Sequence, residues 1–341
     1  MLEKYKKIIF YWLATGAALV LLMVVIGGIT RLTHSGLSMV DWKPISGIIP
    51  PLNEVQWQQE FKNYQQYPEY QKVNQHFTLE DFKSIFWWEY IHRALGRIIG
   101  MVFIFPFLFF IYKKAFDKKW LKHLLILLAM GGLQGFIGWF MVKSGLKDQP
   151  AVSHYRLAIH LCAALGVYTY IIYLMIKIKT PKLIENIQVK TKAKKWALIS
   201  LFLIVIQIIY GAFVAGLKAG LIFNTWPKMG NVWISPVVYE KLSSMGFLSI
   251  FDEPVTVQFI HRIIPYLILI PVFYLFKIKD PIVRKQTYYL GGFWLLQVFL
   301  GVTTLLFGVP VWLGVMHQLG AVALLSASLI LLFKIQGETS T

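Results

Sequence analysis

The chain has 341 residues, 57% of them hydrophobic and 15% charged, a balance too apolar for a soluble protein of this length. Its net charge of +18 would suit a nucleic-acid partner, but the basic residues crowd into alternate connections between apolar runs, which excludes that reading and points to an anionic lipid surface. A single cysteine, Cys162, excludes an intrachain disulfide and is read as a small apolar filler.

Apolar runs recur at about 8–30, 90–112, 120–142, 154–176, 196–217, 257–276, 287–308 and 310–333. Each is near the ~20 residues that cross a hydrocarbon core as a helix. The expected fold is therefore an all-α integral membrane protein with eight transmembrane helices. The first run follows Lys4, Lys6 and Lys7 but is too long for a signal-peptide core and lacks a small-residue cleavage pattern. No Arg-rich presequence is visible, so the expected location is a bacterial plasma membrane, crossed many times. With the N-terminus in the cytoplasm, the inner segments carry a net +15 and the outer segments +3. That bias puts both termini inside.

Two outer segments exceed ordinary turns: 41–88, rich in Gln, Glu, Asn and aromatic residues, and 218–256, with Asn224, Trp226 and Pro227. Their aromatic content predicts packed structure at the membrane interface.

The chain repeats itself. GLSMVDWKPISG at 36–47 matches GLIFNTWPKMG at 220–230 and aligns Trp42 with Trp226. FWWEYIHRALGR at 86–97 matches VTVQFIHRIIPY at 255–266, GGLQGFIGWF matches WLLQVFLGVTTLLFG through Gln134 and Gln297, and RLAIHLCAALG matches GVMHQLGAVALL through His160 and His317. Equivalent segments lie four helices apart, an even number, so both copies run in one sense and a pseudo-twofold axis along the membrane normal is expected. The halves are residues 1–176 and 196–341, two four-helix bundles joined by a basic linker at 177–195.

Four of the eight histidines fall at matching positions: His92 with His261, and His160 with His317. Counted from the apolar starts, all four lie roughly 3 to 11 Å below the outer surface at 1.5 Å per residue. Such side chains need partners in that layer. One alone would be an ordinary packing residue, but one per helix, duplicated, suits axial ligation of a haem iron. Zinc is less natural, because no acid or thiol repeats beside both pairs. Arg93 and Arg262 follow a ligand-type histidine directly and could hold propionates or reach lipid phosphate. Gln134 and Gln297 could bind backbone or water between helices. His34, His76, His123 and His154 have no repeat partner. One difference breaks the match: Glu89 stands three residues before His92, and Gln258 three before His261. Positions three apart share a helix face. A carboxyl can move protons and an amide cannot, so the first half reads as the chemical half and the second as the holder of a permanent cofactor; the structural alternative is a Glu89–Arg93 ion pair.

EYIHR at 89–93, TRLTHSGLSM at 30–39, SHYRLAIHL at 153–161 and MHQLG at 316–320 resemble the haem A synthase family over all eight helices. The resemblance implies oxidation of the C8 methyl of haem O to the formyl of haem A. It implies haem b on His261 and His317, substrate haem at His92 and His160, and Glu89 as the residue important for turnover. Arg93, Arg262, Trp226 and Gln297 are further candidates for cofactor binding. Haem O synthase, terminal-oxidase assembly factors and an electron donor would be partners beside the bilayer, and an oligomer is compatible with the same apolar surfaces. Some bacterial members carry a cysteine pair in the first outer loop; this chain has none there, so no thiol role is expected. A b-type dihaem electron-transfer protein is the rival reading, and a transporter the next.

Overall fold

The computed structural model describes residues 3–40, 48–145, 152–179 and 187–336. Among the described residues it is helical, with one isolated bridge between Met229 and Val232 in place of any sheet. Among those residues eight helices are long and apolar enough to cross a membrane. They are α1 (Glu3–Leu32), α4 (Leu79–Tyr112), α5 (Lys118–Gly145), α6 (His154–Lys179), α7 (Ile187–Gly216), α10 (Pro254–Phe276), α11 (Pro281–Leu306) and α12 (Val311–Gln336). Short helices α2 (Glu54–Gln65) and α3 (Pro68–Lys72) lie between α1 and α4, and α8 (Pro236–Met245) and α9 (Ser249–Asp252) between α7 and α10. Even α10, at 23 residues, spans about 35 Å at 1.5 Å per residue, more than the ~30 Å of hydrocarbon. Phe105, Leu295 and Phe299 are each more than 60% exposed on these helices, the apolar outer surface that lipid covers.

Contacts divide the chain into two compact units, Met1–Met175 and Ile176–Thr341. In the first, α1 packs along α4, α5 touches α4, and α5 meets α6 where His123 Nδ1 and the Tyr170 hydroxyl lie 2.7 Å apart. In the second, α7 packs against α10 and α12, and α11 against α10 and α12. The linker expected at 177–195 is largely helix, since α6 runs to Lys179 and α7 starts at Ile187; residues 180–186 lie outside those described.

Proline shapes the interior of two spans. Pro106 has no N–H for the carbonyl of Val102, and the Trp12 indole donates to that carbonyl at 2.8 Å. Pro265 likewise frees the carbonyl of His261, which becomes important below.

Helix α4 starts eleven residues before its apolar run. Thr78 and Asp81 form a capping box, with the Thr78 N–H donating to Asp81 at 2.9 Å and the Asp81 N–H to Thr78 Oγ1 at 3.3 Å. The added turns bury Phe82, Ile85 and Phe86 against Trp57, Phe61 and Tyr64 of α2. The long segment before α4 is thus a packed cap. Asn74 donates to the Tyr64 hydroxyl at 2.8 Å, and that hydroxyl donates to Glu69 at 3.2 Å. Burial first, and then the Glu69 carboxylate, push the Tyr64 phenol above its ordinary range. In the second unit Glu253 opens α10 by accepting from the N–H groups of Val255 and Thr256, at 3.1 and 2.6 Å.

Candidate active site

Each unit brings two of the four repeat histidines together. His261 on α10 and His317 on α12 have ring centres 6.4 Å apart, with ring planes at 88°. His92 on α4 and His160 on α6 lie close enough to interact electrostatically. The buried Nδ1 atoms of His261 and His317 have no partner. No group of three or more His, Cys, Asp or Glu able to hold a metal occurs among the described residues. Among the described residues the second unit thus offers a metal two imidazoles, a donor set that would suit a metal carried in a group with donors of its own. Two bonds of about 2 Å, plus the offset from nitrogen to ring centre on each side, give roughly 6 Å between ring centres, so the 6.4 Å pair fits an iron porphyrin.

All four imidazoles rest on glycines of a neighbouring helix. A Cβ on Gly27 would lie 3.3 Å from His92 Nε2, one on Gly138 3.0 Å from His160 Cε1, one on Gly211 3.3 Å from His261 Cε1, and one on Gly301 2.8 Å from His317 Cε1. Any larger residue would push the rings off these seats.

Glu89 is 3% exposed. Its Oε1 receives the Arg93 guanidinium at 2.6 Å, and its Oε2 receives the Ser38 hydroxyl at 2.7 Å and the Met39 N–H at 2.8 Å. Arg93 also donates to the Met39 carbonyl at 2.7 Å. The ion pair weighed in the sequence is thus made, one turn from His92, and it ties α4 to the chain just after α1. That position leaves the carboxylate oriented, three residues before His92 on α4.

The second unit repeats the frame with different chemistry. Arg262 donates to the carbonyls of Phe223 at 2.7 Å and Lys228 at 3.2 Å, and Phe223 is the repeat equivalent of Met39. Gln258 donates to the same Phe223 carbonyl at 3.2 Å, while its Oε1 and the Nε of Arg262 are buried without partners. Ile222 stands where Ser38 stands in the first unit, so the hydroxyl disappears together with the acid it serves. Arg262 has no carboxylate partner among the described residues.

Ser38→Ala should destabilise the protein by about 1.5–3 kcal/mol, the worth of a hydrogen bond to a charged group. Thermal unfolding in detergent measures this, and Ile222→Ala, which touches no carboxylate, is the comparison.

The remaining expected residues divide. Gln297 on α11 places its buried Oε1, without a partner, against Gly320, one turn after His317. Trp226 is 46% exposed in the loop that holds Arg262, and its counterpart Trp42 lies outside the described residues. Asn224 ties that loop to the end of α11 by donating to the carbonyls of Gly220 and Leu305, both at 2.9 Å. Ser38, Met39, Gln207 and the four glycines were not singled out from sequence. A readable signal existed: Gln134, Gln207 and Gln297 each stand four residues before one of these glycines.

Comparison with known proteins gives the family. The family profile described as "Cytochrome oxidase assembly protein" matches residues 10–329. The chain is 46% identical over 334 residues to the heme A synthase of Flavobacterium psychrophilum, covering 95% of this chain and 97% of that one. It is 44% identical to the heme A synthase of Flavobacterium johnsoniae, covering 96% and 97%, and 43% identical to that of Paramagnetospirillum magneticum, covering 93% and 91%. With eight membrane-length helices and agreement along nearly its whole length, the chain belongs to the haem A synthase family of cytochrome oxidase assembly proteins.

Proposed function

We propose that the chain oxidises the C8 methyl group of haem O to the formyl group of haem A. His92 and His160 hold the substrate, and His261 and His317 hold haem b. The observation that carries this reading is the asymmetry between two otherwise matched pockets: an anchored carboxylate, Glu89, beside one histidine pair and an amide, Gln258, beside the other.

Bound haem b would supply one-electron transfer. The conversion removes four electrons from the methyl carbon and, counted with one water, releases four protons. Glu89 would take a proton leaving that carbon, or stabilise positive charge developing on it. Arg93, Ser38 and the Met39 N–H hold its two oxygens at fixed positions, so little reorganisation is needed when charge develops. Arg262, without an acid of its own, would pair with a haem b propionate. The surrounding halves act as two pseudo-twofold related bundles in a bacterial plasma membrane, with both termini cytoplasmic.

Membranes containing the chain and supplied with haem O and reductant should yield haem A on extraction and chromatography. A b-type electron carrier would return haem O unchanged, and that result would remove the reading.

A further inference from the structure

We infer that His92 is the exchangeable ligand of the substrate pocket, because its partner there, His160, and its repeat equivalent, His261, are each held by a glutamine amide and His92 is not. This rests on the proposed function for the identity of the pocket's occupant.

In three of the four places the glycine seat is preceded, one helical turn earlier, by a glutamine: Gln134 before Gly138, Gln207 before Gly211 and Gln297 before Gly301. Residues four apart lie on one helix face, and two of the three amides reach the histidine that rests on their glycine. Gln207 donates to the His261 carbonyl at 3.0 Å, and Gln134 to the His160 carbonyl at 3.2 Å. Both Nε2 atoms also lie 3.4 Å from their histidine's Nε2, and Gln134 Nε2 lies 3.2 Å from His160 Nδ1. Gln297 instead sets its amide against Gly320 on the helix that carries His317. The Oε1 atoms of all three are buried and have no partner. An amide that donates to the carbonyl of a histidine residue fixes the backbone from which that imidazole projects, an outer contact of the kind that orients metal-bound histidines.

The fourth place differs in two residues together. Met23 stands where Gln207 stands in the second unit, and Gly96 stands where Pro265 stands. Pro265 frees the His261 carbonyl, and the Gln207 amide takes it. In α4 the helix continues through Gly96, no carbonyl is released, and Met23 packs its methyl there, with Cε 3.6 Å from where a Cβ on Gly96 would be. A thioether offers no N–H to the backbone. The pocket that must take in one haem and release another therefore has one clamped ligand, His160, and one unclamped ligand, His92. Substrate and product exchange by detachment on the His92 side.

The test loads purified protein with haem O and follows its transfer to excess apomyoglobin by the Soret band, with no turnover required. Met23→Gln should slow transfer about tenfold. Gln134→Leu should speed it by roughly 10- to 100-fold. Met23→Leu, which keeps the packing and adds no amide, should leave it unchanged. In the second pocket, Gln207→Met should speed loss of haem b by a similar factor. Equal transfer rates in wild type, Met23→Gln and Gln134→Leu overturn the inference, as does a Met23→Leu effect matching that of Met23→Gln. Should Met23→Gln fail to fold, Gln134→Leu and Gln207→Met decide the question by themselves. A wild-type protein that takes up no haem O at all would instead count against the proposed function.

Discussion

Glu89→Gln is expected to lower conversion of haem O to haem A by roughly 10²- to 10⁴-fold, the usual worth of a positioned acid–base group, while haem b stays bound. The substitution keeps the side chain's shape and converts the first pocket to the chemistry of the second, where Gln258 occupies the matching place. Ser38 and the Met39 N–H can still donate to the amide oxygen, so the link between α4 and the segment after α1 largely persists. What is lost is a negative charge one helical turn from His92. Arg93 keeps its bond to the Met39 carbonyl but loses its buried counter-ion, so part of the effect will be structural. Thermal unfolding separates the two contributions. If the variant unfolds like wild type, retains haem b and still turns over at the wild-type rate, Glu89 has no chemical role.

His261→Ala is expected to remove most of the stable haem absorbance of the purified protein, whereas His92→Ala should leave it. The proposed permanent occupancy of the second pair rests on ring centres 6.4 Å apart, on the Gln207 amide holding the His261 carbonyl that Pro265 releases, and on Arg262 having no carboxylate partner among the described residues. Loss of one imidazole leaves a metal with a single protein ligand. Absorbance spectra and haem content per chain read the outcome. Retention of a full haem complement in His261→Ala, with loss in His92→Ala, would reverse the assignment of the two pockets.

Much of this was open to view along the chain. The eight spans follow from run length and composition, because a helix crossing lipid must be apolar over about 20 residues. Duplication exposed the histidine positions, and comparison of the copies exposed the one acid. Family membership was legible from motifs spread over the chain and agrees with the profile match across residues 10–329. Helix ends were less legible. Helix α4 begins at Leu79, well before its apolar run, because its first turns bury aromatic residues against α2 instead of lipid.

What sequence alone determined is therefore what depends on local composition and on internal repetition: a helical membrane chain in two related halves, with four matched histidines and a single unmatched carboxylate. Tertiary structure alone decided how that carboxylate is held, since its donors Ser38 and Met39 lie 51 and 50 residues away along the chain. It also decided that each imidazole sits on a glycine, and that glutamines reach two of those histidines across helix pairs. The physical reason is common to these cases. Helical periodicity tells which residues share a face, but only packing decides which face meets which, and a buried polar atom is committed by its partner across that contact.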